Sequence, residues 1–240
     1  MFPYDSDLLA IAQNTPSSVA EVLATMRAIQ ATCIDGDGLK WFNGLYFEVT
    51  QAVESRIEAG GFGDPAWLVA LDVQFASLYF GALARWLSGQ PAPECWQLLF
   101  ERRGETQLAR LQFAMAGIND HINHDLCEAL VATCAAAGTG PQRGSLNYTD
   151  YTALNSTLDS LIDTAKAELH VRLLGEVLPA AAHLEDAVAA WNVSAAREAA
   201  WQNAEILWHL RDQPVLSASF LDSLDGLTSL AGKTLMIPVP

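Results

Sequence analysis

Apolar side chains recur every three or four residues along most of the chain, which is the spacing of an amphipathic α-helix. In LKWFNGLYFEVTQAVESRIEAGG, for example, Phe42, Tyr46, Val49 and Val53 share one face, and a Gly-Gly pair ends the pattern. The sequence offers no convincing run of alternating apolar and polar residues, which would mark a half-buried strand. The pattern therefore predicts an all-α fold, a multi-helix bundle of about eight or nine helices.

Capping residues, together with Gly and Pro, set the expected helix boundaries. Asp64-Pro65 supplies an N-cap and a first-turn proline for one helix, and Thr15-Pro16 does the same for an earlier one. Helices are expected over TPSSVAEVLATMRAIQATC, LKWFNGLYFEVTQAVESRIEAGG, DPAWLVALDVQFASLYFGALARWLSG, PECWQLLFERR, about Thr106–Ala137, about Asp150–Val177, AAAHLEDAVAAW and SAAREAAWQNAEILWHLR, with at best one short helix, SFLDSLDGLTSLAG, in the tail from Pro214.

Length and composition fit one globular unit. The 240 residues are 51% hydrophobic and 17% charged, so a large core is available. The best candidate for a linker, GTGPQRGS, has the length of a loop between two helices. We therefore expect a single helical domain over residues 1–240, with a loop break near 138–146.

Charge and targeting signals narrow the partners and the compartment. The chain has 13 Lys and Arg against 28 Asp and Glu, a formal charge of −15, so neither nucleic acid nor an anionic membrane surface is expected to bind. The start, MFPYDSDLLAIAQ, does not resemble a secretory signal, and no uninterrupted apolar run reaches the ~18 residues of a membrane helix. The four cysteines form no CxxC pair, which suits a reducing compartment. We expect a cytoplasmic protein.

The stretch GINDHINHDL concentrates polar residues in the long helix expected around it. At about 100° per residue, one arc of the helix holds His121, His124, Asp125 and Glu128. Three other polar residues point elsewhere: Asn119, Asp120 and Asn123. His121 and Asp125 lie at the border with the apolar arc. Because they are four residues apart, the carboxylate can contact the imidazole, fix its tautomer and raise its basicity. The pair therefore suits acid–base catalysis.

The same stretch is compatible with two further roles. The pair can be a satisfied structural contact between helices, with His124 and Glu128 exposed to solvent. It can also supply ligands to a divalent metal, with His124 or Asp72 completing a set that includes His121 and Asp125. The order of residues differs from the HExxH motif of metalloproteases, so the sequence does not favour the metal.

Asp72 interrupts an otherwise apolar stripe. Leu68, Asp72, Phe75, Tyr79 and Leu83 share one face of their helix, and a charged residue rarely occupies such a position without a partner or a task. Two roles fit this position equally well: a buried carboxylate satisfied by neighbouring groups, or a site carboxylate with a perturbed pKa.

Two more polar residues fall on apolar faces. Arg197 shares a face with Trp201, so the guanidinium can stack on a tryptophan and pair with a buried carboxylate such as Asp72. Asn155 faces inward beside Tyr151, where a structural hydrogen bond is the simpler role and contact with a substrate is the alternative.

Around GINDHINHDL the chain resembles an uncharacterised, mostly bacterial family of all-helical domains of unknown function. Members carry a Gly-x-Asn-x-His-x-x-x-Asp-Leu helix, which Gly117, Asn119, His121, Asp125 and Leu126 match here. The resemblance implies a helical fold but no activity. It also favours three of these residues, Asn119, His121 and Asp125, as candidate site residues. It extends to DGLKWFNGLYFEVT, FGDPAWLVALDVQFASLYF and AREAAWQNAEIL.

The favoured hypothesis is a small-molecule enzyme with no cofactor. His121, oriented by Asp125, would be the general acid or base, and Asn119, Asn155 or Asp72 would orient or polarise the substrate. Aromatic walls and few polar groups suit an apolar or polycyclic substrate undergoing cyclisation, isomerisation or hydrolysis, for example in biosynthesis. The expected substrate-binding residues are Tyr46, Phe75, Tyr79, Asn155, Arg197 and Trp201, with Trp41 and Trp208 as further aromatic walls.

Two alternatives come from different classes of protein. One is a metal-dependent hydrolase with a divalent metal held by His121, Asp125 and either His124 or Asp72. The other is a non-catalytic binding or scaffold protein in which the His–Asp pair only stabilises the fold. A large cavity beside His121 would argue against a scaffold. The expected partner is a small-molecule substrate, and a homodimer is left open.

Overall fold

The computed structural model describes residues 2–173 and 192–238, and α-helices account for most of them, with no strand in these two ranges. A π-helical turn, His121–Asp125, joins two of the helices end to end, and only Leu154 separates two others. When each of these pairs is counted as one helix, the described residues form nine helices. The predicted all-α fold is confirmed. The helices are α1 (Asp5–Ala12), α2 (Val19–Thr32), α3 (Gly38–Glu58), α4 (Pro65–Leu87), α5 (Glu94–Arg102), α6 (Arg110–Asp120), α7 (Leu126–Ala136), α8 (Leu146–Ala153), α9 (Asn155–Leu173), α10 (Val193–Leu210) and α11 (Pro214–Leu235).

Side-chain caps begin several of these helices. The Asp64 carboxylate accepts a hydrogen bond from the Trp67 amide, so the predicted Asp64-Pro65 start of α4 is confirmed. The predicted start of α2 at Thr15-Pro16 is wrong, because the Ser18 hydroxyl caps the helix by accepting from the Glu21 amide.

The long helix, which we define as α6, the π-helical turn and α7, runs through the centre of the fold. It packs against α3 and α4 on one side, α5 and α11 on another, and α10 along α7. Every residue from Leu111 to Asp120 is buried. A helix that is covered on all sides cannot keep its polar residues in water, so those in this helix need partners inside the protein.

The ends of the chain differ from the expectation. The tail forms α11, a helix of 22 residues rather than one short helix at best, and it packs against α5, α6 and the π-helical turn. Its buried face consists of the small residues Thr228, Ser229 and Gly232, which give no apolar periodicity to detect. The eight-residue helix α1 was not expected either.

The connections after the long helix are partly as expected. The loop at 137–145 joins α7 to α8, and both helices pack on α4, so it connects neighbouring helices. The helix expected from Asp150 begins earlier, at Leu146, and is interrupted at Leu154. The helix expected over AAAHLEDAVAAW lies outside the described residues.

One helix of the described chain, α4, is long and apolar enough to span a membrane by length and composition, with a mean hydropathy of 1.4. Core helices of soluble proteins pass the same test. Leu68, Leu71, Tyr79 and Leu83 of α4 are buried, and the helix packs against α1, α2, α5, α7 and α8.

Candidate active site

The π-helical turn shapes the centre of the GINDHINHDL stretch. The Leu126 amide donates to the carbonyl of His121, five residues earlier, instead of four as in an α-helix. Such single-turn π segments are frequent at functional sites. Within the turn, the His121 Nδ1 atom lies 2.9 Å from the Asp125 Oδ2 atom, so the contact expected from their spacing is present.

Asp125 accepts three hydrogen bonds although it is only 2% exposed. Its Oδ2 atom also accepts from the Trp96 Nε1–H at 3.0 Å, and its Oδ1 atom lies 2.7 Å from the His124 Nδ1 atom. Burial alone would raise the pKa of Asp125, but the hydrogen bonds from both histidines outweigh it and the pKa is lowered. An ionised Asp125 accepts only, so both histidines carry a proton on Nδ1.

His121 is therefore held as a neutral imidazole with a free lone pair. It is 1% exposed, and no described residue is a hydrogen-bond partner of its Nε2 atom. Burial lowers the pKa of His121, and the opposing effect of Asp125 does not offset it. Phe75 stacks on the ring with centroids 3.5 Å apart, and Tyr46 meets it edge-on at 4.5 Å. The ring orientation is thus fixed by packing as well as by Asp125.

A cavity of about 70 Å³ adjoins His121. Its polar lining residues are Tyr46, Asp72, His121 and Arg197, and three of their atoms, Tyr46 Oη, Asp72 Oδ2 and His121 Nε2, are buried without a described partner. Buried polar atoms usually have a partner, so three orphans around one cavity indicate a place for a ligand or water. Its aliphatic lining residues are Val49, Val53, Leu68, Leu71, Ile118, Ile122, Leu126, Leu154, Leu158, Ile162 and Val193, and Phe75 completes the wall.

Asp72 can hold or release a proton near neutral pH. Burial, assisted by the negative charge of Glu54, raises the pKa of Asp72 to about 7. The expectation that Arg197 pairs with Asp72 is wrong, because Asp72 Oδ2 has no described partner and the hydrogen bonds of Arg197 go to Asn155 and to the Tyr151 carbonyl.

The aromatic partner of Arg197 also differs from the expectation. The guanidinium lies 3.9 Å from the Tyr151 ring centroid rather than on Trp201. Trp201 is fully buried and packs against Trp67, Tyr148 and Tyr151, away from the cavity. The face shared by Arg197 and Trp201 is real, but Tyr151 contacts both side chains.

Only some of the predicted site residues line the cavity. Tyr46, Phe75, Asp72, His121 and Arg197 line it. Four others do not line it: Tyr79 packs behind His121, Asn155 holds Arg197, Trp41 packs on Arg110 and Trp208 lies beside Gly140.

Asn119 lies on the opposite side of the long helix, against α11. Its Nδ2 atom donates to the Thr228 carbonyl and to the Asp120 carboxylate, both at 3.0 Å, and its carbonyl accepts from Asn123. The bond to Thr228 attaches α11 to the long helix, and Asn119 does not line the cavity.

His124 is buried on this second side of the long helix. If the His121–Asp125 pair were purely structural, we expected His124 to be exposed, and it is not. It is 5% exposed because the predicted short tail is in fact a long helix that packs on the π-helical turn. Burial alone would lower the pKa of His124, but the hydrogen bond to Asp125 and the negative charges of Asp125, Glu128 and Asp225 together outweigh it, and the pKa is raised.

A metal-ligand set exists in the described residues, but it differs from the predicted one. Donor atoms of His124, Asp125 and Glu128 all lie within 4.8 Å of one another, whereas no such set in the described ranges includes His121 or Asp72. In the present geometry the His124 Nδ1 atom and the Asp125 Oδ1 atom are hydrogen-bonded to each other, so a metal would have to replace this bond.

Two residues of the site were not expected. Trp96 holds Asp125 from α5, and the sequence marks it only as a tryptophan in a short amphipathic helix. Phe42 explains Gly117: a Cβ atom at this glycine would lie 2.3 Å from the Phe42 ring. An aromatic side chain thus occupies the space that a Cβ atom at Gly117 would need.

Comparison with known proteins places the chain in a family without assigning an activity. No curated protein and no solved structure matches it. The model of one family, described as a family of unknown function (DUF5995), matches residues 19–238, which include the long helix and α11. The chain belongs to this family.

Proposed function

We propose that the protein is an enzyme that acts on a small, mostly apolar molecule, with His121 as the general base or acid. The observation that carries the proposal is the unpartnered Nε2 atom of a buried, neutral His121 at the wall of a cavity. Asp125 and Trp96 act as positioning residues, because they hold the imidazole in one tautomer and one orientation.

Asp72 is the second catalytic candidate. It lines the same cavity, and its pKa of about 7 lets it donate a proton while His121 accepts one. Two groups whose pKa values are shifted in opposite directions from their usual values suit a reaction that takes a proton from one atom and returns one to another.

The polar atoms of the cavity lining suit isomerisation, cyclisation or hydrolysis. A bound water needs two to four polar partners, which the unpartnered atoms of Tyr46, Asp72 and His121 can supply. A cavity of about 70 Å³ is smaller than the ~150 Å³ that holds one benzene. We therefore replace the expected polycyclic substrate with a small one.

Deuterium exchange tests this proposal with no substrate specified in advance. The purified chain is incubated in D2O with a fractionated small-molecule extract, and mass spectrometry detects deuterium uptake or new products. We expect turnover that falls by about 10² or more in His121→Gln and in Asp125→Asn. His209→Gln, at an exposed histidine of α10, is the matched control and should retain full turnover. Retained turnover in both folded site variants would contradict the proposal.

A second candidate is a metal-dependent hydrolase at His124, Asp125 and Glu128, favoured by the proximity of their donor atoms. Metal analysis of the purified protein tests it. A bound divalent metal that is lost in both His124→Ala and Glu128→Gln would support this candidate, and a metal-free preparation with full turnover would exclude it.

A further inference from the structure

Arg197 lies at the end of the cavity formed by α10. It is 7% exposed and lines the cavity together with Val193, the first residue of that helix. The N-terminal end of a helix carries a partial positive charge, which adds to the charge of the guanidinium.

The described partners of Arg197 are neutral. Its Nε atom donates to Asn155 Oδ1 and its Nη2 atom to the Tyr151 carbonyl, each at 2.8 Å. Asp159 is close enough to favour the charged guanidinium, but its carboxylate accepts from the Ser194 hydroxyl at 2.6 Å, and no described side chain forms an ion pair with Arg197.

A buried cation without a counter-ion is costly, and arginine cannot escape the cost by losing its proton. Two of its five N–H groups are used by the described residues, which leaves donors for a planar, two-oxygen acceptor. Asp72, the acid in the lining, takes up a proton near neutral pH and so opposes an incoming anion less than an ordinary aspartate does.

We propose that the molecule bound in this cavity is a small carboxylate, whose anionic group pairs with Arg197 and whose apolar remainder extends along the aliphatic wall toward His121. This inference rests on the proposed function only in taking the cavity as the substrate site. It names a chemical class, and it can be tested by binding alone.

The test compares acids with their uncharged counterparts. Acetate, propanoate, butanoate and hexanoate are titrated into the purified chain by calorimetry, each beside the amide of the same length. We expect at least one acid to bind about tenfold or more tightly than its amide, the difference made by hydrogen bonds to a charged group. Equal affinity within every pair, or no binding by any acid, would overturn the inference.

Variants assign the preference to Arg197. Asn155→Asp preserves the shape of the side chain but places a carboxylate beside the guanidinium, so the acid should lose its advantage over the amide. Arg197→Gln should have the same effect if it folds, and Arg211→Gln, at the end of α10, should not. A preference that survives Asn155→Asp unchanged would contradict the assignment to Arg197.

His121→Gln separates this inference from the proposed function. The acid should keep its advantage over the amide in this variant, because the pairing with Arg197 does not require the imidazole. If turnover persists without His121 but the acid preference is present, the proposed base fails and the anion site stands. If the acid preference is absent in the wild type and turnover depends on His121, the anion site fails and the proposed base stands.

Discussion

At the scale of single residues, the site depends on one ionised carboxylate. Asp125 accepts from Trp96, His121 and His124, so three side chains from two elements are fixed by the same group. Its charge fixes the proton of His121 on Nδ1 and leaves Nε2 free. A change at Asp125 should therefore disturb both sides of the long helix.

Gly117 offers a test of the packing around His121. In Gly117→Ala the new Cβ atom would meet the buried Phe42 ring at 2.3 Å, so we expect a loss of about 1–3 kcal/mol in unfolding free energy despite the better helix propensity of alanine. Gly81→Ala, in an exposed position of α4 with nothing within 4 Å, is the matched control and should gain up to about 1 kcal/mol. Denaturant unfolding measures both, and equal gains would contradict the contact.

Asp72 should reduce stability at alkaline pH. Its pKa is raised from 3.8 to about 7 in the folded state, so the unfolded chain loses this proton first and the unfolding free energy falls as pH rises between these values. We expect Asp72→Asn to stabilise the protein by about 1–3 kcal/mol at about pH 8, and by less at about pH 5.

Denaturant unfolding at the two pH values checks this expectation. Asp222→Asn, at an exposed aspartate of α11, is the control and should change little at either pH. A loss of stability in Asp72→Asn at the higher pH would show that the carboxylate has a stabilising partner instead.

At the scale of elements, α11 determines what the long helix can bury. Gln112 donates to the carbonyls of Leu235 and Ile237, and Asn119 donates to that of Thr228. These bonds satisfy polar residues that would otherwise be buried without partners. Helix α11 also caps its neighbour α5, because the Asp225 carboxylate accepts hydrogen bonds from the Glu94 and Cys95 amides.

Removal of this cap should weaken the contact between the two helices. Pro93, which precedes α5, offers no side-chain cap, so among the described residues Asp225 satisfies the two amides. We expect Asp225→Ala to lower the unfolding free energy by about 1–2 kcal/mol. Asp222→Ala on the same helix should have a smaller effect, and equal losses in thermal or denaturant unfolding would count against the cap.

The sequence predicts large elements better than it predicts α11 and the π-helical turn. Large apolar side chains at regular spacing identify α3 and α4, whereas α11 buries Thr228, Ser229 and Gly232. A wheel drawn at about 100° per residue assumes an unbroken α-helix and so could not anticipate the turn at 121–125. His124 is buried because α11 packs on the π-helical turn. Since the sequence does not reveal α11, it could not reveal the burial of His124 either.

At the scale of the whole molecule, the long helix separates two environments. One side faces the cavity through His121, and the other packs on α11 through Asn119, Asp120 and His124. The contact between His121 and Asp125 could be predicted because it is local in sequence. The cavity could not, because α3, α4, α9 and α10 form it together with the long helix, and sequence spacing carries no information on such distant contacts.

The most direct test of the central claim is the protonation state of His121. The chain has five histidines, so a long-range ¹H–¹⁵N correlation spectrum of histidine-labelled protein, with His121→Gln for assignment, resolves the imidazole at about pH 7. We expect a neutral ring with its proton on Nδ1 and an unprotonated Nε2. A proton on Nε2, or a doubly protonated ring, would contradict the claim that His121 presents a base to the cavity.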